Sequence, residues 1–340
     1  MTSPIQRATV PLQRATVIGD GAMGTVCALV LAENGVRVRL WSNFPDHART
    51  LAAERENHRF LPGHPFPSSI SIHIEPDEAF DGAELIVSAV PCQFIRGVWS
   101  RLRDAYPGDV PVVAVSKGIE IDTLLVSTQI LPDVIGPLPV GALSGPSIAP
   151  ELANHQPCAV VAASADNGLA ELVQRAFSNH YLRVYASRDL VGVEIAGAAK
   201  NVIALAAGIV DGIGAGCNAK AALLTRGVVE IARLGHALGA SPATFQGLAG
   251  VGDLVTTCIS PVGRNRSAGE RIGRGMKTAE VIAATHSVIE GIPTTGAMLK
   301  LAARHQVEMP ITAAVATVLA DEVSPQEAIN RLMTRELKVE

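Results

Sequence analysis

Two rhythms of apolar and polar positions divide the 340 residues of the chain. Up to about residue 188, short β-prone runs occur at 16–18, 36–41, 70–74, 85–90, 112–115, 140–143, 159–163 and 183–185. Between most of them, at 22–33, 94–103, 123–131 and 168–177 for example, apolar residues recur at helical spacing. Strands alternating with helices predict a mainly parallel, doubly wound α/β sheet. From 189 onward the period is almost wholly helical, as over 218–239, so an all-helical C-terminal domain is expected. The division that follows is a tail at 1–14, an α/β domain at 15–188 and a helical domain at 189–335. The pentapeptide QRATV occurs at 6–10 and again at 13–17; the second copy starts a core strand and the first belongs to the tail.

The helix predicted at 190–210 poses a chemical question. Its sequence continues as GAAKNVIALAAGIVDGI (197–213), small and apolar on every side, which implies burial, yet it carries Lys200. A lone buried ammonium is costly unless it is paired or shifted toward neutrality. Lys200 is therefore either a structural lysine that pairs or snorkels out, or one of the perturbed lysines that gather at active sites.

The first strand runs directly into Gly19-Asp20-Gly21-Ala22-Met23-Gly24, a GxGxxG triplet opening a helix. In that setting the triplet reads as a Rossmann-type dinucleotide turn. Gly19 permits the tight turn, Gly21 lets the pyrophosphate approach, and Gly24 allows helix to pack on strand. The helix N-terminus offers N–H groups and a positive dipole end to the phosphates. Asp20 would repel phosphate if turned inward, so it is expected to face solvent. The second strand ends Leu40-Trp41-Ser42-Asn43, with no acid to bond a ribose 2′-hydroxyl. That favours NADP(H) over NAD(H), with Arg39 and Arg49 as the nearest cationic helpers.

Three further stretches place polar chemistry at element ends. VAVSKGIE (113–120) sets Lys117 at a strand terminus, where open α/β sheets bind ligands, or leaves it an ordinary loop lysine. ALSGPSIAPEL (142–152) turns through Gly145-Pro146, and Ser147 there either caps a helix or touches a ligand. GLAGVGDLVTTCISPVGRNRSAGERIGRG (247–275) brackets Asp253 with glycines, then supplies Thr256, Thr257 and Arg264-Asn265-Arg266. Arginine matches phosphate through paired N–H donors, although such a triplet also suits a solvated basic patch. SVIEGIPTT (287–295) offers Glu290, which says nothing by itself.

Composition narrows these readings. A hydrophobic fraction of 48% with 31 glycines belongs to a compact folded chain. A net charge of −4 argues against nucleic acid as a partner, and any anionic ligand must be met by local positive groups. The cysteines at 27, 92, 158, 217 and 258 form neither a disulfide framework nor a CxxC site, which suits a reducing cytoplasm. The nine histidines lack ligand spacing, so no metal is expected. The first residues lack the apolar core of a signal peptide, and Glu194, Lys200 and Asp211 interrupt the best candidate membrane span. A cytoplasmic protein without an integral membrane segment is the expectation, and its apolar helices leave room for a homodimer.

Taken in order, these blocks resemble the bacterial-type NAD(P)-dependent glycerol-3-phosphate dehydrogenases. The resemblance spans residues 15–322 and rests on the GxGxxGT turn with a following LW, SKGIE, SGPS.A.E, VGVEIAGAAKNVIALAAGIVDGIG, LAGVGDLVTTC, GRNR and VIEG. It implies reduction of dihydroxyacetone phosphate to sn-glycerol 3-phosphate, the backbone of phospholipids, with NADP(H) or NAD(H). It also implies that Lys200 is the proton donor/acceptor, that Lys117 touches nucleotide and substrate, and that Asp253 contacts substrate beside a supporting Thr257. Gly145 and Ser147 become substrate contacts, and Gly263, Arg264 and Asn265 the phosphate grip. Gly19, Gly21, Ala22, Met23, Gly24, Asn43, Lys117, Ala149, Arg264, Val288 and Glu290 fall on the cofactor. Three departures stand out. Gly263 replaces a common serine, leaving only its backbone N–H for phosphate. Ala22-Met23 replaces a polar or aromatic pair, and Asn43 a histidine or arginine.

The chemistry implied agrees with the residues. Hydride addition at C2 creates an alkoxide, and a buried ammonium aimed at it both stabilises charge and gives a proton. Burial and the like charge of Lys117 would lower the pKa of Lys200, while Asp253 would partly offset this. Two rivals predict otherwise. A β-hydroxyacid dehydrogenase would not need Arg264-Asn265 beside Asp253. A nucleotide-binding regulator would show degraded catalytic positions, yet Lys117, Lys200 and Asp253 are all present.

Overall fold

The computed structural model describes residues 11–285 and 287–336. The first QRATV copy and most of the 1–14 tail lie outside the described residues. The chain forms two compact units. One holds residues through Ser116 together with Val126–Leu190, and the other holds Lys117–Leu125 and the chain from Val191.

The first unit is built on β1 (Arg14–Ile18), β2 (Arg37–Trp41), β3 (Glu56–Asn57), β4 (Leu61–Pro65), β5 (Ile70–His73), β6 (Leu85–Ser88), β7 (Val112–Ala114), β8 (Val140–Ser144), β9 (Cys158–Ala163) and β10 (Leu182–Ser187). Eight of these make one sheet in the order β10-β9-β8-β7-β6-β1-β2-β5, while β3 and β4 form a separate antiparallel ribbon. Neighbours in the large sheet are parallel except β8 and β9. Strands such as Leu85–Ser88 are buried throughout and read as continuous apolar runs, because helices cover both faces of a parallel sheet. Helix Ala22–Glu33 buries every residue from Gly24 to Leu31. Val26, Val30 and Leu31 join Val17, Leu40 and Val87 in the core, each worth about 1.5–3 kcal/mol of burial. From β1 the chain proceeds to β2 and β5 on one side, and later to β6 and β7 on the other. The carboxyl ends of β1 and β6 thus flank a topological switch point, where open α/β sheets bind ligands.

One local expectation fails, and one element arises that the sequence pattern does not predict, each for an identifiable reason. The helix expected at 123–131 runs instead from Ser127 to Ile135. Leu124 is left-handed (φ 64°), and its N–H donates to the Glu120 carbonyl at 3.0 Å, closing a turn where the apolar spacing suggested a helix. The β3/β4 ribbon follows a left-handed Arg55 (φ 55°) and carries no alternating apolar signal in ENHRFLPGHP.

The second unit folds as helices, turns and loops around Leu190–Gly212, a 23-residue helix buried continuously from Gly192 to Val210. Among the described residues it is the helix long and apolar enough to cross a membrane, despite its interrupting charges. Its apolar window is wholly buried, so it serves as the interior strut of the unit. Helix Arg264–Gly273 crosses it through glycines on both sides. A Cβ on Gly208 would meet the Arg266 carbonyl, and one on Gly212 the Glu270 carbonyl. A Cβ on Gly269 or Gly273 would meet the carbonyls of Leu205 and Ile209 respectively. The two backbones are therefore in direct contact. At the end of the crossing, Asp211 accepts from Arg266 Nε at 2.7 Å and pairs with Lys220 at 2.8 Å.

Candidate active site

In the first unit the glycine turn has the geometry its spacing demands. Gly19 adopts φ +109°, and its N–H donates to the Trp41 carbonyl at 3.0 Å, tying the turn to the end of β2. A Cβ on Gly24 would run into the Gly19 carbonyl, whereas a Cβ on Gly21 would meet nothing within 4 Å. One glycine is thus required for packing and another leaves the helix N-terminus open to a ligand. Gly21 precedes the first helical residue and has no side chain to cap it, and no acid lies in the first turn. Ala22 and Met23 are half-buried beside it. This cradle suits a pyrophosphate.

Asp20 does not face solvent. It is 6% exposed, accepts a hydrogen bond from Ser42 Oγ, and lies 2.6 Å from His47 Nδ1. These partners, 22 and 27 residues away, draw the carboxylate inward and away from a free surface position. Asn57 braces the turn from behind, its Nδ2 donating to the Asp20 carbonyl at 2.8 Å and to Thr25 Oγ1 at 2.7 Å. Sequence reasoning missed Asn57, since nothing local links it to residue 20.

At the end of β8, Gly145 is left-handed (φ +134°), and a Cβ there would approach Val160 Cα at 3.0 Å. Ser147 does not cap the following helix, whose N-cap is Ile148; its hydroxyl donates to the Gly145 carbonyl at 3.0 Å. Ala149 is the first residue of that helix, half-buried.

The second unit brings Lys117, Lys200, Asp253 and Thr257 together. Asp253 is 2% exposed and splits its oxygens between two cations. Oδ1 accepts from Lys200 Nζ at 2.8 Å and Oδ2 from Lys117 Nζ at 2.6 Å. Lys200 Nζ also donates to Thr257 Oγ1 at 2.5 Å, and that hydroxyl bonds back to the Asp253 carbonyl at 2.7 Å. Thr257 can do both because it stands one helical turn beyond Asp253 in helix Asp253–Ile259. A π-helical turn, Leu248–Gly252, feeds that helix, with Gly252 N–H donating to the Gly247 carbonyl at 3.1 Å. Such turns recur at functional sites.

Burial pushes the Lys200 ammonium from 10.5 down to about 8. Asp253 acts against that shift and Lys117 adds to it. For Asp253 burial alone would raise the pKa, but the charges and hydrogen bonds of Lys117 and Lys200 outweigh it and hold the carboxyl below its usual range.

An asparagine ladder holds this cluster, and it adds Asn201, which directly follows Lys200, to the Asn265 that the sequence singles out. Asn201 Nδ2 donates to the Lys117 carbonyl at 3.1 Å, and its Oδ1 accepts from Asn265 Nδ2 at 2.9 Å. Asn265 Oδ1 in turn accepts from Gly291 N–H at 2.9 Å. The ladder runs from the SKGIE turn through the strut helix to two further helices. One of the two Asn265 N–H groups is therefore committed to Asn201. Arg264, exposed at the start of helix Arg264–Gly273, donates from Nη1 to the Val288 carbonyl at 3.0 Å. Glu290 is buried just beyond, before helix Gly291–Arg304. The Gly263 N–H, expected to be left for phosphate, is directed at the Ser260 carbonyl at 3.3 Å. A Cβ at Gly263 would sit 3.1 Å from the Thr257 carbonyl, a close approach. Among the described residues no group of three His, Cys, Asp or Glu is arranged to hold a metal ion.

A phosphate-ready glycine turn on a doubly wound sheet, together with a buried lysine–carboxylate cluster on a helical unit, makes up the parts of a nicotinamide-dependent dehydrogenase. Comparison with known proteins narrows the class. Residues 14–170 match the N-terminus, and residues 189–330 the C-terminus, that define the NAD-dependent glycerol-3-phosphate dehydrogenases. The chain belongs to this family. It is 48% identical over 330 residues to glycerol-3-phosphate dehydrogenase [NAD(P)+] of Chlorobium phaeobacteroides, covering 96% of this chain and 99% of that one. A Geobacillus thermodenitrificans protein of the same name is 47% identical, covering 97% of both chains. The crystal structure of glycerol-3-phosphate dehydrogenase from Coxiella burnetii superposes with a TM-score of 0.92 at 35% identity, covering 95% of this chain and 99% of that one.

Proposed function

We propose that this protein interconverts dihydroxyacetone phosphate and sn-glycerol 3-phosphate in the cytoplasm, running toward glycerol 3-phosphate to feed glycerophospholipid synthesis. The observation that carries the chemistry is the placement of Lys200 between Asp253 and Thr257. Family membership supplies the substrate. In this reading residues 15–188 bind the dinucleotide and 189–335 the substrate.

The bound nicotinamide supplies or takes up the hydride at C2. Lys200 handles the proton at the C2 oxygen. Two of its three N–H groups are committed, to Asp253 Oδ1 and Thr257 Oγ1, so the third is the one a substrate oxygen would receive. As negative charge grows on that oxygen, the ammonium stabilises it and then donates. Asp253 keeps the buried ammonium oriented and sufficiently protonated. Lys117, on the other carboxylate oxygen, adds positive charge beside both nucleotide and substrate. Arg264 and the second Asn265 N–H grip the phosphate, so that remote binding is converted into orientation at C2. Gly145 and Ser147 would contact the substrate, and Ala22, Met23, Asn43, Ala149, Val288 and Glu290 the cofactor.

The test is to follow loss of reduced-nicotinamide absorbance with dihydroxyacetone phosphate, using NADPH and NADH in parallel and unphosphorylated dihydroxyacetone as control. Turnover that requires the phosphate supports the proposal. Demonstrated nucleotide binding without turnover on dihydroxyacetone phosphate would overturn it.

A further inference from the structure

We infer that Arg101 selects the 2′-phosphorylated dinucleotide, by pairing with the adenosine 2′-phosphate at the end of β2. The inference rests on the dinucleotide reading above and goes beyond it by naming the cofactor form and the residue that reads it. In a doubly wound fold the chain just past the second strand faces the adenosine ribose. An acid there bonds the 2′-hydroxyl, and an arginine accommodates the phosphate. Here that position is Asn43.

Three charged side chains near the end of β2, Asp20, Arg39 and Arg49, are engaged with partners of their own. Asp20, the one acid of the glycine turn, is buried against Ser42 and His47. Arg39 is bound to Asp81 at 2.7 Å and to the Glu78 carbonyl. Arg49 is bound to Asp46 at 2.5 Å. The two arginines nearest in sequence thus each sit on a carboxylate of their own.

Arg101 differs in both origin and partner. It comes from the last turn of helix Ile95–Leu102, after β6 on the other side of the switch point, and it is exposed. Its Nη2 donates to Asn43 Oδ1, 58 residues away in sequence. That partner is neutral, so the guanidinium is aimed at the ribose-reading position with its charge uncompensated by it. A guanidinium has five N–H donors in a planar fork, so holding Asn43 leaves a face able to engage phosphate oxygens in paired fashion.

The readout is binding rather than turnover. NADPH and NADH are titrated separately against the intact protein by fluorescence of the reduced nicotinamide. The wild type is expected to bind NADPH more tightly. Arg101→Ala should raise the Kd for NADPH roughly 10- to 100-fold, the scale of a lost charge-assisted contact, and leave that for NADH within about twofold. Asn43→Asp should weaken NADPH while sparing or tightening NADH, because a carboxylate repels the phosphate and accepts from a 2′-hydroxyl. Equal weakening of both nucleotides in Arg101→Ala, or an unchanged Kd for NADPH, would overturn the inference. So would a wild type that binds the two alike. A wild type that binds neither nucleotide would instead remove the dinucleotide reading itself.

Discussion

The pKa of Lys200 makes the direction of catalysis readable from pH. An ordinary lysine titrates near 10.5, whereas burial brings Lys200 to about 8, a cost to its ammonium of roughly 3 kcal/mol. A lowered pKa means that the proton is lost earlier as pH rises. With a midpoint of about 8, roughly nine-tenths of Lys200 is ammonium at pH 7 and roughly one-tenth at pH 9. With Lys200 as the proposed proton donor, reduction of dihydroxyacetone phosphate needs the ammonium, so kcat/KM should fall about tenfold between these pH values. Oxidation of glycerol 3-phosphate needs the free amine, so its kcat/KM should rise through the same midpoint. The second ionisation of a phosphate monoester lies near pH 6, below this window, so the limb belongs to the enzyme. The assay is initial rate at low substrate and saturating nucleotide, with nucleotide affinity checked at each pH. A reductive rate that stays flat to pH 10 would refute the assignment of Lys200 as the proton donor.

Other perturbations separate the parts of the site. Lys200→Ala should lower kcat by about 10²–10⁴, the usual scale of general acid catalysis, while nucleotide Kd stays near wild type; near-normal turnover would sink the catalytic role. Arg264→Ala should raise KM for dihydroxyacetone phosphate about 10- to 100-fold with a smaller change in kcat, and an unaltered KM would contradict a phosphate grip. Gly24→Ala should cost about 1–3 kcal/mol in denaturant unfolding and abolish tight nucleotide binding, because its Cβ collides with the Gly19 carbonyl. A variant that unfolds and binds like wild type would show that the helix can shift to admit a methyl group.

The parts of the fold and site that sequence reading reaches are those set by local pattern. Alternating strands and helices, the turn required at Gly19 and the oddity of Lys200 in an apolar helix all come from residues a few positions apart. What escapes is set by partners that only the folded chain brings near. Asp20 looks like a solvent-facing residue until Ser42 and His47 are placed beside it. Asn201 lies in plain view next to Lys200, but its role depends on Asn265, 64 residues away. The turn at Leu124 escapes for another reason. Its apolar neighbours have helical spacing, and only the left-handed backbone at one residue breaks the helix there.

The glycine crossing between helices Leu190–Gly212 and Arg264–Gly273 works as a caliper. Lys200 stands about two helical turns before Gly208 on one arm, and Arg264 opens the other. The arms meet through backbone at Gly208, Gly212, Gly269 and Gly273, where even a methyl group would collide with a facing carbonyl. The backbone spacing between the Lys200 and Arg264 positions is thereby set by main-chain packing. With Lys200 and Arg264 in the roles proposed for them, a crossing held by main chain would make substrate chain length a ground for discriminating among phosphorylated sugars.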